Sequence, residues 1–195
     1  MNRSLHEPIK IGFAICGSFC TFSKVIPQIQ AVKDAGYEVQ PIMSGYSSVT
    51  DTRFGRAEDF VEQIEKICGR RIINTIVEAE PIGPKKLVDL MLIAPCTGNT
   101  LGKLANGIND TAVTMAAKSH LRNARPLLIA VSTNDALGAS ARNIGQLLNT
   151  KNIFFVPMRQ DDPIKKPTSI VADFTQILPA VESALKGVQI QPIYQ

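Results

Sequence analysis

The chain contains no tryptophan, two histidines and four cysteines, and no apolar run longer than a strand. Each shortage excludes something. Cys16, Cys20, Cys68 and Cys96 do not fall into a pair of pairs, and His6 and His120 are the only histidines, so no zinc site or other metal is expected. The thiols read as reduced and mostly buried, with incidental redox sensitivity where Cys16 and Cys96 flank loops, rather than as nucleophiles. Apolar runs of strand length exclude a bilayer-spanning helix. Residues 1–10 lack the apolar stretch of a signal peptide, so a cytoplasmic location is expected and no membrane partner. The net charge of +4 comes without a dense basic run interleaved with aromatics, which reads as ordinary solubility and not as nucleic-acid binding. There is no Gly-x-Gly-x-x-Gly, so the chain is not expected to hold NAD(P) in Rossmann fashion.

What is present is enough for one domain over residues 1–195, of which 45% are hydrophobic. Short apolar runs at residues 9–15, 37–43, 87–94, 127–131 and 153–156 alternate with helical spacing. The helices fall at residues 22–36, 57–69, 111–121, around 144–148, and between 171 and 185. This alternation predicts an α/β fold, a mainly parallel sheet covered on both faces. Residues 72–79 fit a strand or a helix equally. Pro27 either kinks its helix or makes it start near Ser23 after an extended loop. The tail from Gly187 is loosely held or packs on another protomer.

Parallel strands put their C-terminal loops on one edge, so Gly17-Ser18, residues 44–48, 95–100 and 132–135 should converge. The run Pro95-Cys96-Thr97-Gly98-Asn99-Thr100 follows an apolar strand expected to stop at Pro95. Gly98 would let a planar ligand approach the backbone, and Thr97, Asn99 and Thr100 offer hydroxyl and amide groups to a heteroaromatic edge. Gly17-Ser18-Phe19 fits a phosphate-holding turn or an ordinary tight turn. Ser44 and Ser47 are ligand hydroxyls or turn caps. Arg53, Lys85, Lys86, Arg159, Lys165 and Lys166 all lie in loops; a dicarboxylate would need one or two of them, and Arg53 offers a bidentate fork. Asp161-Asp162 beside Lys165-Lys166 suggests a surface ion-pair loop or a contact between protomers.

The run 95–100 resembles the Pro-Ala-Ser-Ala-Asn-Thr motif of the homo-oligomeric flavin-containing Cys decarboxylase-like superfamily, matching at Pro95, Asn99 and Thr100. The following Leu104-Ala105-Asn106-Gly107-Ile108 is also similar to that superfamily. Further segments, at residues 99–106, 133–138, 150–155 and 160–167, carry a closer resemblance to one of its branches. The resemblance implies a flavodoxin/Rossmann-like three-layer sandwich that binds FMN between the protomers of a trimer or dodecamer. It assigns Gly17 and Ser18 to the FMN phosphate, leaves Phe19 to pack against ligand or partner, and places Ser44, Ser47, Pro95, Cys96, Thr97, Gly98, Asn99, Thr100 and Asn134 in the flavin surroundings. Asn99 is the one catalytic candidate, and Arg53 and Asp135 the substrate-binding candidates. The Pro-x-Met-Asn-x-x-Met-Trp motif of decarboxylating relatives survives here only as Asn134, and no histidine follows the second strand, which speaks against cysteine decarboxylation.

In the branch to which the closer resemblance points, such a chain is the B subunit of a two-component oxidoreductase of sporulating bacteria. Its A subunit resembles a nicotinamide-binding dehydrogenase, so NAD(P) is expected there. The implied reaction oxidises a dihydrodipicolinate-type precursor from the lysine pathway, a small dicarboxylate, to its aromatic product. The alternatives are a flavin-dependent decarboxylase-like enzyme and a non-catalytic scaffold or activator of the A subunit.

Overall fold

The computed structural model describes residues 7–195; His6 and most of the segment read for a signal peptide lie outside them. Seven strands form one sheet: β1 (Lys10–Ile15), β2 (Glu38–Met43), β3 (Leu90–Cys96), β4 (Leu127–Thr133), β5 (Ile153–Phe155), β6 (Met158–Asp162) and β7 (Lys166–Ala172). The order is β2-β1-β3-β4-β7-β6, with β5 also paired to β4. Strands β1 to β5 pair in parallel, whereas β7 runs antiparallel to both β4 and β6.

Alternate side chains of the central strands feed two separate cores, the signature of a parallel sheet buried on both faces. Leu90, Leu92 and Ala94 of β3 enter one core with α1 (Phe22–Asp34), α2 (Ala57–Cys68) and α7 (Ile177–Leu185). Met91 and Ile93 enter the other with α3 (Ile76–Ala79), α4 (Gly98–Ala105), α5 (Ala112–Leu121) and α6 (Ala141–Leu148). The result is the expected α/β sandwich. Among the described residues no helix is long and apolar enough to cross a membrane.

Several sequence expectations are corrected. Pro95 does not stop its strand: β3 runs on to Cys96, with a register shift against β4 between Ile93 and Cys96 that accommodates a residue lacking an N–H. The helix α1 starts at Phe22 with Pro27 inside it, and a 3-10 turn over Phe19–Thr21, rather than an extended loop, leads into it. Residues 72–79 are neither one strand nor one helix: Ile73 bridges to Ile42, and α3 begins at Ile76. The last helix does lie between 171 and 185, as α7, but the first residues of that stretch end β7 and form a 3-10 turn over Phe174–Gln176. The tail packs on its own chain. Gln189 accepts from Phe155 N (2.7 Å) and donates to Phe155 O (2.7 Å), which mimics a neighbouring strand for β5, and Tyr194 bridges to Met158.

Candidate functional site

The chain passes from β1 to β2 on one side, then crosses to β3 on the other side of β1, so the sheet order reverses between β1 and β3. At such a switch point the loops leaving the two strands diverge and open a crevice outside their C-terminal ends. A cavity of about 480 Å³ lies there. Its floor is the turn after β1 (Gly17 to Thr21), Thr97 after β3, and Ser132 and Thr133 at the end of β4 with Asn134 after it. Its far wall is the hairpin β6–β7, through Asp161, Lys166, Ser169, Ile170 and Val171, and Lys24 and Phe54 complete it.

Local rules build each part. Ser18 precedes the 3-10 turn that runs into α1; its carbonyl accepts from Thr21 N (3.0 Å) and from the Thr21 hydroxyl (2.7 Å). The first N–H groups of a helical run lack internal acceptors and favour an anion, and the residues that begin this run, Phe19 and Cys20, line the cavity. The Ser18 and Ser132 hydroxyls are hydrogen-bonded at 2.9 Å, which ties the β1 loop to the C-terminal end of β4. Phe19 packs on Phe22 (5.2 Å between centroids) and edge-on to Tyr46 (6.3 Å), so one aromatic wall is fixed in place. The hairpin is held by pairing of Val171 and Ile170 with Ser132 and Thr133, and by Thr168 donating to Asn134 O (2.6 Å).

A family model described as Flavoprotein matches residues 2–184. The chain belongs to the Flavoprotein family. It is 48% identical over 184 residues to the B subunit of dipicolinate synthase of Bacillus subtilis (strain 168), covering 94% of this chain and 92% of that one. The crystal structure of the dipicolinate synthase B subunit from Bacillus halodurans C matches with a TM-score of 0.88 at 42% identity, over 96% of each chain. DmrB of Burkholderia xenovorans, solved in complex with FMN, matches with a TM-score of 0.68 at 15% identity over 93% of this chain and 97% of that one, a likeness of fold alone. The expected flavodoxin-like class is thereby established, as is the resemblance to the dipicolinate synthase B subunits.

In this Flavoprotein-family chain the cavity gathers some of the sequence candidates and not others. Gly17, Ser18, Phe19, Thr97 and Asn134 line it. The rest of the run 95–100 does not, for a definite reason. Thr97 is the N-cap of α4, its hydroxyl accepting from Thr100 N (3.4 Å), so what read as a loop coils into a helix. Pro95 and Cys96 are buried in β3, and Thr100 turns inward to donate to Cys16 Sγ (3.2 Å). Gly98 is needed for a close approach, but from within the chain. A Cβ there would stand 2.7 Å from both Asp135 Oδ1 and Thr133 Oγ1 and 2.8 Å from Ser140 Oγ. Asn99 sits exposed on the first turn of α4, away from the cavity lining.

Ser44 and Ser47 are turn caps: their hydroxyls bond each other, Ser44 Oγ accepts from Ser47 N (3.2 Å), and Ser47 is fully buried. Asp135 is spent on its own loop, its Oδ1 accepting from Thr133 Oγ1 (2.5 Å) and Ser140 Oγ (3.0 Å). Arg53 is exposed and lies 4.9 Å over the ring of Phe54, so it reaches only the rim.

Sequence reasoning named Asp161 and Lys166 but passed over the hairpin that carries them, and over Lys24. Asp161 and Lys166 do form the anticipated ion pair (2.6 Å), but inside the cavity wall. The hydrogen bond from Lys166 to Asp161 holds the ammonium's pKa above the usual lysine value. The cavity otherwise carries Lys24 and hydroxyl groups. The two buried thiols next in sequence to the lining residues Gly17 and Thr97 are unreactive: burial pushes Cys16 up to about 11 against a hydrogen bond from Thr100, and burial raises Cys96 well above the usual thiol range, so both stay protonated at neutral pH. Among the described residues no group of three or more His, Cys, Asp or Glu side chains could hold a metal ion.

Proposed function

We propose that the chain is the flavin-binding B subunit of a dipicolinate synthase, working with an A subunit that carries NAD(P). The observation that carries this reading is the cavity at the β1/β3 switch point, whose lining joins the anion-favouring turn after β1 to the hydroxyl groups of Thr97, Ser132 and Thr133. FMN fits that donor set. The Gly17-Ser18 turn and the N–H groups opening the run at Phe19 suit a phosphate, while Thr97, Ser132, Thr133 and Asn134 offer hydroxyl and amide partners to a heteroaromatic edge. Phe19 and Phe54 offer ring faces. The B. subtilis and B. halodurans relatives, by name parts of dipicolinate synthase, support the reaction class.

Aromatising a dihydrodipicolinate-type ring removes two electrons and two protons, formally a hydride to an acceptor and a proton to a base. Bound FMN supplies a hydride acceptor. The chain's own residues bind and orient: the hydroxyls of Ser18 and Ser132 are locked to each other, and the hairpin covers one side of the site from water. We place Asn99, exposed on its helix, at a surface where a second copy in a trimer or dodecamer completes the site. The setting is the cytoplasm of a sporulating cell, and the substrate belongs to a branch of the lysine pathway.

The test is flavin content followed by reconstitution. The purified chain is supplied with FMN, freed of excess, denatured and assayed for released flavin by fluorescence; about one equivalent is expected, and Ser18→Ala should lower retention. The A subunit is then assayed with and without the chain. Full activity from the A subunit by itself removes the reading, and activity that requires a flavin-free chain replaces it with the scaffold alternative.

A further inference from the structure

The charged groups of the cavity wall are few and arranged in a telling way. Lys24, on α1, makes no hydrogen bond or ion pair among the described residues. Among the described residues the Lys166 ammonium, on β7, is bonded to Asp161 alone, across the hairpin on β6. Both members of that pair are partly open to solvent, with side-chain exposures of 53% and 33%. An ion pair so placed is weakly held, because water screens it and two side chains must be kept ordered. The hairpin backbone does not depend on it. That is fixed by Met158↔Ala172, Arg159↔Val171 and Gln160↔Ile170, by Gln160 donating to Pro167 O (2.9 Å), and by the Asp162 carboxylate accepting from Ile164 N and Lys165 N. A cation at the start of a paired strand, parked on a weakly held internal carboxylate at a ligand cavity, is suited to exchange that carboxylate for one of the ligand's.

We infer that Lys166, with Lys24, is the carboxylate-recognition subsite of this cavity, and that Asp161 is its internal competitor. The ligand class is a small planar dicarboxylate. One carboxylate displaces Asp161 from the Lys166 ammonium, and the second meets Lys24 or the hydroxyl floor. Asp161 thereby sets specificity: a single carboxylate gains too little to displace it, whereas a dianion engages both ammonium groups. Arg53, the cation favoured from sequence, lies at the rim on Phe54 and is not part of this subsite. The inference deepens the proposed function and rests on it for the identity of the ligand.

The experiment is titration calorimetry of the FMN-supplied full chain with pyridine-2,6-dicarboxylate and with pyridine-2-carboxylate as the one-carboxylate control. Lys166→Ala should weaken dicarboxylate binding by about tenfold, as loss of a charge-assisted contact does. Asp161→Asn should tighten it by about threefold, the scale of an exposed pair's own worth. Lys24→Ala should narrow the gap between the two ligands, and Lys166→Arg should retain binding. The opposite signs decide the matter, since a merely structural pair makes Lys166→Ala and Asp161→Asn change binding in the same direction. Same-sign changes, no effect of Lys166→Ala, or no binding of the dicarboxylate by the unaltered chain each overturn the inference. Flavin retention and the dependence of the A subunit on this chain are read separately, so the subsite fails without the function failing, and the reverse.

Discussion

Acidification should unfold this protein partly through one buried ring. His120, on α5, is fully buried. Its Nε2 lies 3.1 Å from Pro126 O, so the neutral ring donates from Nε2 and leaves Nδ1 as an acceptor, for which no hydrogen-bond partner exists among the described residues. Protonation would turn Nδ1 into a buried donor with nothing to donate to. Burial, reinforced by the Arg125 guanidinium and opposed by the Pro126 carbonyl and Asp89, lowers the pKa from 6.5 to about 4. A histidine depressed on folding binds its proton in the unfolded chain first. Its contribution is therefore intact above pH 6.5, is lost as pH falls, and is gone below about 4.

Lowering that pKa from 6.5 to about 4 corresponds to about 3 kcal/mol overall, of which about 2 kcal/mol is lost by about pH 5. His120→Gln keeps an amide able to donate to Pro126 O and does not titrate; that carbonyl also retains Met91 N at 3.0 Å. Urea unfolding of both proteins at pH 7, 6, 5 and 4.5 isolates the group, because the carboxylates common to both cancel in the difference. The variant should lose about 2 kcal/mol less than the parent between about pH 7 and 5. Parallel profiles over that range would refute the argument that His120 is held neutral by burial.

Three further outcomes follow from the packing. Gly83→Ala places a Cβ 1.8 Å from the Ser119 carbonyl oxygen, a backbone atom that cannot swing aside, and should cost about 3 kcal/mol in chemical denaturation. Gly98→Ala should cost about 1–3 kcal/mol and weaken ligand binding, because its Cβ displaces Thr133, which lines the cavity, from Asp135; an unchanged melt would refute the close approach. Under native conditions one thiol in four, the exposed Cys20, should react rapidly with a thiol reagent, while the buried Cys16, Cys68 and Cys96 wait for unfolding.

The sequence was most legible where one local signal decided one element. The α2 helix ends where Gly69 takes φ 66, and its apolar spacing alone marks its span. The buried strands β1, β3 and β4 announce themselves as apolar runs. The hairpin did not, because β6 carries Arg159, Gln160, Asp161 and Asp162 in succession, with no alternation to read; its pairing is specified by β7, and β7's by distant β4. The family motif at 95–100 was legible as a motif but not as a geometry. Whether a residue after a strand faces a crevice or the core depends on where the next helix starts, and Thr97 starts it at once. Convergence of the β1 and β4 loops was anticipated from parallel pairing, and the Ser18–Ser132 bond is its direct expression.

Strand β4 divides its length between partners. Leu127 to Ile129 pair in parallel with β5, and Ser132 and Thr133 pair antiparallel with β7. The consequence is a separation of scaffold from fitting. The parallel strands, locked between two cores, tolerate little change; the hairpin is anchored in those cores by Met158, Ile170 and Ala172, while its outer part, residues 159–168, is largely exposed beside the crevice. Lengthening, shortening or recharging that one insert would resize the vestibule and recode what enters it, with the foundation left as it stands.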